Sequence, residues 1–323
     1  MRSLSEARPS LGGAGWGVTR RKPRARKSAN DYAAACGSQR SRAARLRRDP
    51  PSSFGQAHSV RQAFASFPTR GDGVIDVGVL TLPSPLIDRL RAARRIVAFT
   101  GAGISAESGL STFRDKQTGL WAKYRPEDLA TPQAFQRNPR MVWEWYEWRR
   151  GVAAKAEPNP GHYALAQIEA ARPGFFLATQ NVDGLHASAG SRNLVELHGN
   201  IRRTICFDHR HRADSWTPVD EPPPRCSQCG SLLRPDVVWF GEPLRGDALA
   251  RAQEASAQCD LFLSIGTSTM VYPAAELPFI AGSNGATLIE INPDFTPLSK
   301  LADFVMREKA GVALPAIAKV MLA

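Results

Sequence analysis

At 323 residues and 43% hydrophobic composition, the chain can bury one large core or two smaller ones. No stretch approaches the roughly 18 uninterrupted apolar residues that a membrane-spanning helix needs, so a soluble protein with no membrane partner is expected. The formal charge of +12 is local: residues 1–70 hold 15 of the 42 Lys and Arg and 3 of the 30 Asp and Glu, leaving 27 of each sign in the remaining 253 residues. A nucleic-acid partner is thereby confined to the N-terminal tail.

Residues 1–73 are rich in Arg, Ser, Ala, Gly and Pro and lack hydrophobic periodicity, which predicts a disordered basic tail. Three readings fit it. A mitochondrial transit peptide is Arg- and Ser-rich and poor in acids. A nucleic-acid-binding arm is also basic, although Trp16, Tyr32 and Phe54 stand too far apart to interleave with bases. The third reading is upstream sequence added by a misassigned start. Cys36 and Cys259 are unpaired extras and nothing marks a secreted disulfide scaffold, so a reducing compartment is expected. That compartment is the cytoplasm, or the mitochondrial matrix if the tail is a transit peptide.

Residues 74–323 have the texture of an α/β domain. Val74–Leu82 leads into a helix predicted over Ser84–Arg94, with apolar residues on one face. Arg95–Thr100 then reads as a buried strand running into Gly101-Ala102-Gly103-Ile104-Ser105. Glycines two apart let a backbone approach a phosphate closely, although Gly101-x-Gly103 departs from G-x-G-x-x-G because the next glycine is Gly109. In the helix predicted over Met141–Arg150, Tyr146 and Arg149 are three apart and share a face.

Three later segments repeat the pattern of a short apolar run with a small polar end. Phe175–Ala178 ends in Thr179-Gln180-Asn181-Val182-Asp183, Leu261–Ile265 in Gly266-Thr267-Ser268, and Thr287–Ile291 in Asn292-Pro293. In an open parallel sheet, ligands lie beyond the carboxyl ends of the strands, so these four ends are expected to converge on one site.

A second module interrupts the pattern over about residues 201–235. Cys206-x-x-His209 is followed after 16 residues by Cys226-x-x-Cys229, two short-spaced pairs with the separation of a tetrahedral structural zinc. The predicted ligands are Cys206, His209, Cys226 and Cys229, with His211 able to replace His209. A degenerate, metal-free lobe is the alternative.

Gly101 to Asp115, including Phe113 and Arg114, closely resembles the NAD-binding signature of the sirtuins. Gln180-Asn181-Val182-Asp183-Gly184-Leu185-His186, Glu196-Leu197-His198-Gly199-Asn200 and Gly266-Thr267-Ser268 follow in the family's order, so the resemblance runs from about Leu80 almost to the C-terminus. It implies a Rossmann-like parallel-sheet domain with an inserted small zinc-binding lobe, NAD as co-substrate and an acylated lysine in an extended peptide as substrate. Nicotinamide and O-acyl-ADP-ribose are the implied products. The sirtuin zinc site usually has four cysteines, and a histidine there departs from it.

The resemblance also implies roles. A base near neutral pH is needed to deprotonate a ribose hydroxyl, and a histidine has the suitable pKa. His58 lies in the tail, His209 and His211 near the zinc pairs and His162 at a helix start, and of His186 and His198 the latter matches the family's base. Asn181 and Asp183 would hold the ribose and carboxamide, and Gln180 the ribose. Gly101, Ala102, Gly103, Ile104, Phe113 and Arg114 would line the cofactor site, with Gly266, Thr267, Ser268 and Asn292 opposite. Val238, Trp239, Phe240 and Gly241 resemble the strand edge that clamps substrate backbone. Tyr-x-x-Arg at Tyr146 and Arg149, with Ala130, resembles the class III branch, which reads acidic acyl groups. Removal of succinyl, malonyl or glutaryl groups is therefore expected, with acetyl weaker; a general deacetylase or a mono-ADP-ribosyltransferase are the alternatives.

Overall fold

The computed structural model describes residues 80–111, 124–217 and 219–323, and the backbone of Gly17–Val18. In chain order the strands are β1 (Gly17–Val18), β2 (Ile96–Thr100), β3 (Phe175–Thr179), β4 (Leu194–Glu196), β5 (Gly199–Cys206), β6 (Leu233–Val237), β7 (Leu261–Ile265), β8 (Thr287–Ile291) and β9 (Phe304–Met306). The helices are α1 (Ser84–Ala92), α2 (Gly103–Ala106), α3 (Pro126–Leu129), α4 (Pro132–Arg137), α5 (Pro139–Lys155), α6 (Pro160–Ala171), α7 (Leu185–Ala189), α8 (Gly246–Gln258), α9 (Leu277–Ser283) and α10 (Ala310–Leu322). None is long and apolar enough to cross a membrane. The basic tail expected over 1–73 lies outside the described residues except for Gly17–Val18, which pairs antiparallel with β9.

The main sheet has the order β1-β9-β8-β7-β2-β3-β4 and is parallel apart from β1. Every residue of β2 is buried because helices cover both faces. Ile96 and Ala98 pack on the side of α1, α6 and α10, with Leu86, Leu165 and Leu314. Val97 and Phe99 pack on the side of α8 and α9, with Ala252 and Leu277. The first helix stops at Ala92, two residues short of the expected Arg94. The main-chain N–H groups of Arg94 and Arg95 donate to the Asp260 carboxylate at 3.1–3.2 Å, which draws the chain out of the helix and into β2.

The smaller lobe comes from two insertions rather than the single one expected around 201–235. β5 and β6 form a two-stranded antiparallel ribbon, and α3, α4 and α5, from between β2 and β3, pack against it. A two-stranded ribbon buries too little surface to stand alone. Ile201 and Val237 of the ribbon bury themselves against Val142, Trp145 and Tyr146 of α5. Thr131 and Asn138 start α4 and α5 by accepting the N–H groups of Ala134 and Met141 at 3.0 and 3.1 Å, and a proline occupies the first turn of each helix.

Candidate functional site

The four polar strand ends converge as expected, because the strands share one register. Thr100 is level with Thr179 and Ile265, and Ile265 with Ile291, so Gly101, Gln180, Gly266 and Asn292 are the next residues on four adjacent strands. The loops are bonded to one another: Gly103 N–H donates to the Gly266 carbonyl at 2.8 Å, and Gln180 N–H to the Thr100 carbonyl at 2.9 Å. A Cβ on Gly101 or Gly103 would lie 2.8 or 2.7 Å from backbone atoms of the Gly266–Thr267 segment. The Gly-x-Gly spacing thus serves the close approach of two protein loops. Ile104, expected to be part of the cofactor site, has its side chain fully buried in the core, and its carbonyl accepts from Asn159 Nδ2 at 2.7 Å. Phe113 and Arg114 lie outside the described residues.

Asn181 and Asp183 are both buried and meet at Ser105. The Ser105 hydroxyl donates to Asp183 Oδ2 at 2.8 Å and accepts from Asn181 Nδ2 at 3.1 Å, while Asp183 Oδ1 accepts from Leu185 N–H at 2.8 Å. Burial pushes the Asp183 carboxyl up from its usual range, against the pull of these bonds. Opposite, Thr267 ties two strand ends together, its hydroxyl accepting from Gln180 Nε2 at 2.9 Å and its carbonyl from Asn292 Nδ2 at 3.0 Å. Half-buried His198 points Nδ1 at the Gln180 carbonyl oxygen, 3.0 Å away, and burial lowers its pKa. Its own carbonyl accepts from Val238 N–H at 2.9 Å, which joins the two lobes next to the imidazole.

The segment after β6 is a turn rather than an open strand edge. Val238 N–H donates to the His198 carbonyl, Phe240 N–H to the Ala130 carbonyl and Trp239 N–H to Glu242 Oε2. The expected row of unpaired N–H groups is therefore used internally, and Gly241, exposed at φ +85°, is where the chain reverses. Beneath this turn Ala130, Tyr146 and Trp239 are buried in one apolar cluster. Arg149, half-buried, lies one helical turn from Tyr146 with its guanidinium 4.8 Å from the centre of the Trp145 ring.

The metal-ligating atoms of Cys206, His211, Cys226 and Cys229 all lie within 4.8 Å of one another. His209, the ligand expected first, is exposed and outside this group, and the alternative His211 takes its place. Arg210 between them has φ +57°, a left-handed turn that directs His211 inward and leaves His209 on the surface. Zn–S bonds of about 2.3 Å in a tetrahedron require S···S edges of roughly 3.8 Å. Cys206 and Cys229 Sγ are 3.7 Å apart, and Cys226 Sγ is 3.8 Å from His211 Nδ1. The donor set fits a structural zinc.

Residues 101–273 match the Sir2 family. The chain belongs to the Sir2 family. A relative from Aquifex aeolicus named NAD-dependent protein deacylase is 57% identical over 220 residues, 68% of this chain and 92% of that one. One of the same name from Pyrococcus abyssi is 50% identical over 234 residues, 71% and 93% of the two chains. A crystal structure of a Sir2 homologue with NAD superposes with a TM-score of 0.70 at 44% identity, over 76% of this chain and 95% of its own. A Sir2 structure with a p53 peptide and NAD+ superposes with a TM-score of 0.63 at 30% identity, over 73% and 97%.

Two residues of this Sir2-family site had no role in the sequence reading. Ser105 stood inside the first motif, and only the fold brings it to Asn181 and Asp183, 76 and 78 residues away in the chain. Asn159 is the other. It caps α6 and holds both the Ile104 carbonyl and Ser108 Oγ, so it pins the glycine loop from behind. Its sequence signal was the Asn-Pro-Gly helix start, which says nothing about the loop.

Proposed function

We propose that this Sir2-family enzyme, an NAD-dependent protein deacylase, prefers acidic acyl groups, succinyl, malonyl or glutaryl, on lysines of extended protein segments and removes acetyl less efficiently. The observation that carries the preference is the placement of Tyr146, buried in one apolar cluster with Ala130, one helical turn from Arg149, whose guanidinium lies 4.8 Å from the centre of the Trp145 ring. Burial lowers the Arg149 pKa, with Tyr146 opposing it, and the guanidinium stands one helical turn from the phenol as a cationic group that a carboxylate can approach. A guanidinium can grip a carboxylate with two parallel bonds, and Ala130 matches the small residue that the resemblance to the class III branch associates with longer acyl chains.

Bound NAD would supply an electrophilic ribose carbon for the acyl oxygen with nicotinamide as the leaving group; with one water consumed and the lysine amine released, the acyl group would end on ADP-ribose. The chain's own residues orient and deprotonate. A carbonyl only accepts, so the Gln180 carbonyl fixes the proton of His198 on Nδ1 and leaves Nε2 as the base for a ribose hydroxyl. Asn181 and Asp183, locked through Ser105, present fixed polar groups to the ribose and carboxamide. Gln180, Thr267, Ser268 and Asn292 form the facing wall, and the Gly101–Gly103 loop admits the phosphates. Cys206, His211, Cys226 and Cys229 would hold a zinc ion, which would supply rigidity to the ribbon that carries the substrate turn.

The test is a panel of acylated peptides of one sequence assayed with NAD. Succinyl, malonyl or glutaryl peptides should show higher kcat/KM than acetyl. Arg149→Met should cost the acidic groups on the order of 2–5 kcal/mol in transition-state binding and spare acetyl. An acetyl preference in the parent, or equal losses on both substrates in the variant, would leave a general deacetylase.

A further inference from the structure

The Trp239 side chain is 1% exposed, so it cannot touch an extended peptide lying on the turn, and its function must be directed inward. Its indole Nε1 stands 3.0 Å from the Tyr146 hydroxyl. An indole N–H can only donate, so the phenol oxygen must accept, and the phenol's own proton must point elsewhere. Tyr146 is 3% exposed, and its neighbours Leu129, Ala130, Phe135, Val142, Ile201 and Val237 carry no side-chain acceptor. Among the described residues no hydrogen bond receives that proton. A buried hydroxyl proton without an acceptor is costly, so the site favours a ligand that brings one.

Trp239 is itself held in place. Its main-chain N–H donates to Glu242 Oε2 at 2.8 Å. Arg234 grips both oxygens of that carboxylate at 2.6 and 2.9 Å and lies 3.3 Å from the centre of the indole ring. The guanidinium also donates to the Val237 carbonyl at 2.6 Å. The indole therefore sits in a rigid frame of one ion pair and one cation–π contact, with the Phe135 ring 5.3 Å away.

We infer that Trp239 is a specificity-determining positioning residue: it fixes the Tyr146 hydroxyl as an obligate donor and so selects acyl groups that carry a hydrogen-bond acceptor at their far end. This rests on the reading of the Tyr146–Arg149 pocket as the acyl site, and it separates two contributions that a carboxylate combines. Arg149 answers to charge, while the oriented phenol answers to acceptor geometry whether or not the ligand is charged. Burial pushes the Tyr146 pKa up to about 12, which keeps the proton on the phenol at any working pH.

The experiment compares parent and Trp239→Phe enzymes, the substitution keeping an aromatic ring while removing the donor together with part of the indole's bulk, and a Tyr146→Phe background separates the two effects. Both are assayed for kcat and KM at saturating NAD on succinyl, acetyl, pentanoyl and 4-oxopentanoyl lysine in one peptide. The last two are neutral and of similar size, and only 4-oxopentanoyl has an acceptor near its end. The parent should process 4-oxopentanoyl about five- to tenfold better than pentanoyl, and the variant should lose that preference. The succinyl-to-acetyl ratio of kcat/KM should fall by a similar factor, through KM more than kcat, and in a Tyr146→Phe background the tryptophan substitution should no longer change it. A parent indifferent to the neutral pair overturns the inference without any variant, as does an unchanged ratio or an equal loss on all substrates in Trp239→Phe. A parent that prefers acetyl to succinyl instead overturns the acidic-acyl reading on which it rests.

Discussion

His198 Nδ1 lies 3.0 Å from the main-chain carbonyl oxygen of Gln180, a contact that links the imidazole's tautomer to the end of β3. Because a main-chain carbonyl cannot be removed by substitution, the tautomer is set by the fold. His198→Ala should lower kcat by about 10²–10⁴ while the protein still binds NAD. Burial lowers the His198 pKa, with the Gln180 bond opposing it, so Nε2 stays unprotonated to below the ordinary histidine value of about 6.5. The acid limb of kcat/KM against pH should therefore fall below 6.5. A limb above 7 in the parent, or one unmoved in residual activity of the variant, would assign it to another group.

Removing a zinc ligand should separate the two neighbouring histidines. Purified parent protein is expected to contain one zinc per chain, His209→Ala the same amount, and His211→Ala markedly less, with a lower melting temperature as the ribbon loses its anchor. Zinc loss from His209→Ala with retention in His211→Ala would reverse the assignment.

Two buried imidazoles behind the cleft make stability depend on pH. His162 and His186 have ring centres 4.8 Å apart, and each has one ring nitrogen without a partner among the described residues. Burial lowers the pKa of His162 to about 4, and burial followed by the neighbouring His162 lowers that of His186 to about 3. Between those values and about 6.5 the unfolded chain binds more protons than the folded one, so stability is complete above pH 6.5 and lost as pH falls. From pH 7.5 to 5 the loss should be on the order of 2 kcal/mol per imidazole, measured by urea unfolding. His186→Gln should roughly halve this dependence; a parent whose stability is flat over that range would refute it.

Gly266 is a point in the cleft where a side chain would do harm. It has φ +57°, and a Cβ there would lie 2.5 Å from Ile104 N and 2.7 Å from the Gly103 carbonyl carbon. Gly109, at φ +78°, has nothing within 4 Å of the same position. Gly266→Ala should cost on the order of 2–4 kcal/mol and raise the KM for NAD, whereas Gly109→Ala should cost only about 1–2 kcal/mol from its backbone alone. Equal denaturation midpoints for the two variants would show that the loops do not need this contact.

The sequence by itself determined the parallel sheet and its cleft. A buried parallel strand needs an uninterrupted apolar run, and a polar group following it has only the crevice to occupy, so Ile96–Thr100, Phe175–Thr179, Leu261–Ile265 and Thr287–Ile291 declared both themselves and the site. The motifs around Gly101, Asn181, His198 and Thr267 were legible for the same reason, each being a contiguous segment. What the tertiary structure decided were relations between segments and the direction of side chains within them. Spacing could not choose between His209 and His211, because the left-handed turn at Arg210 sets which one faces the three thiols. It could not show that α5 completes the ribbon's core, that Ile104 belongs to the core, or that the N–H groups of Val238, Trp239 and Phe240 are used at home. Nor could it bring Trp239 to Tyr146 across 93 residues, since a hydrogen bond between distant side chains leaves no periodicity in the chain and depends only on how the two elements pack.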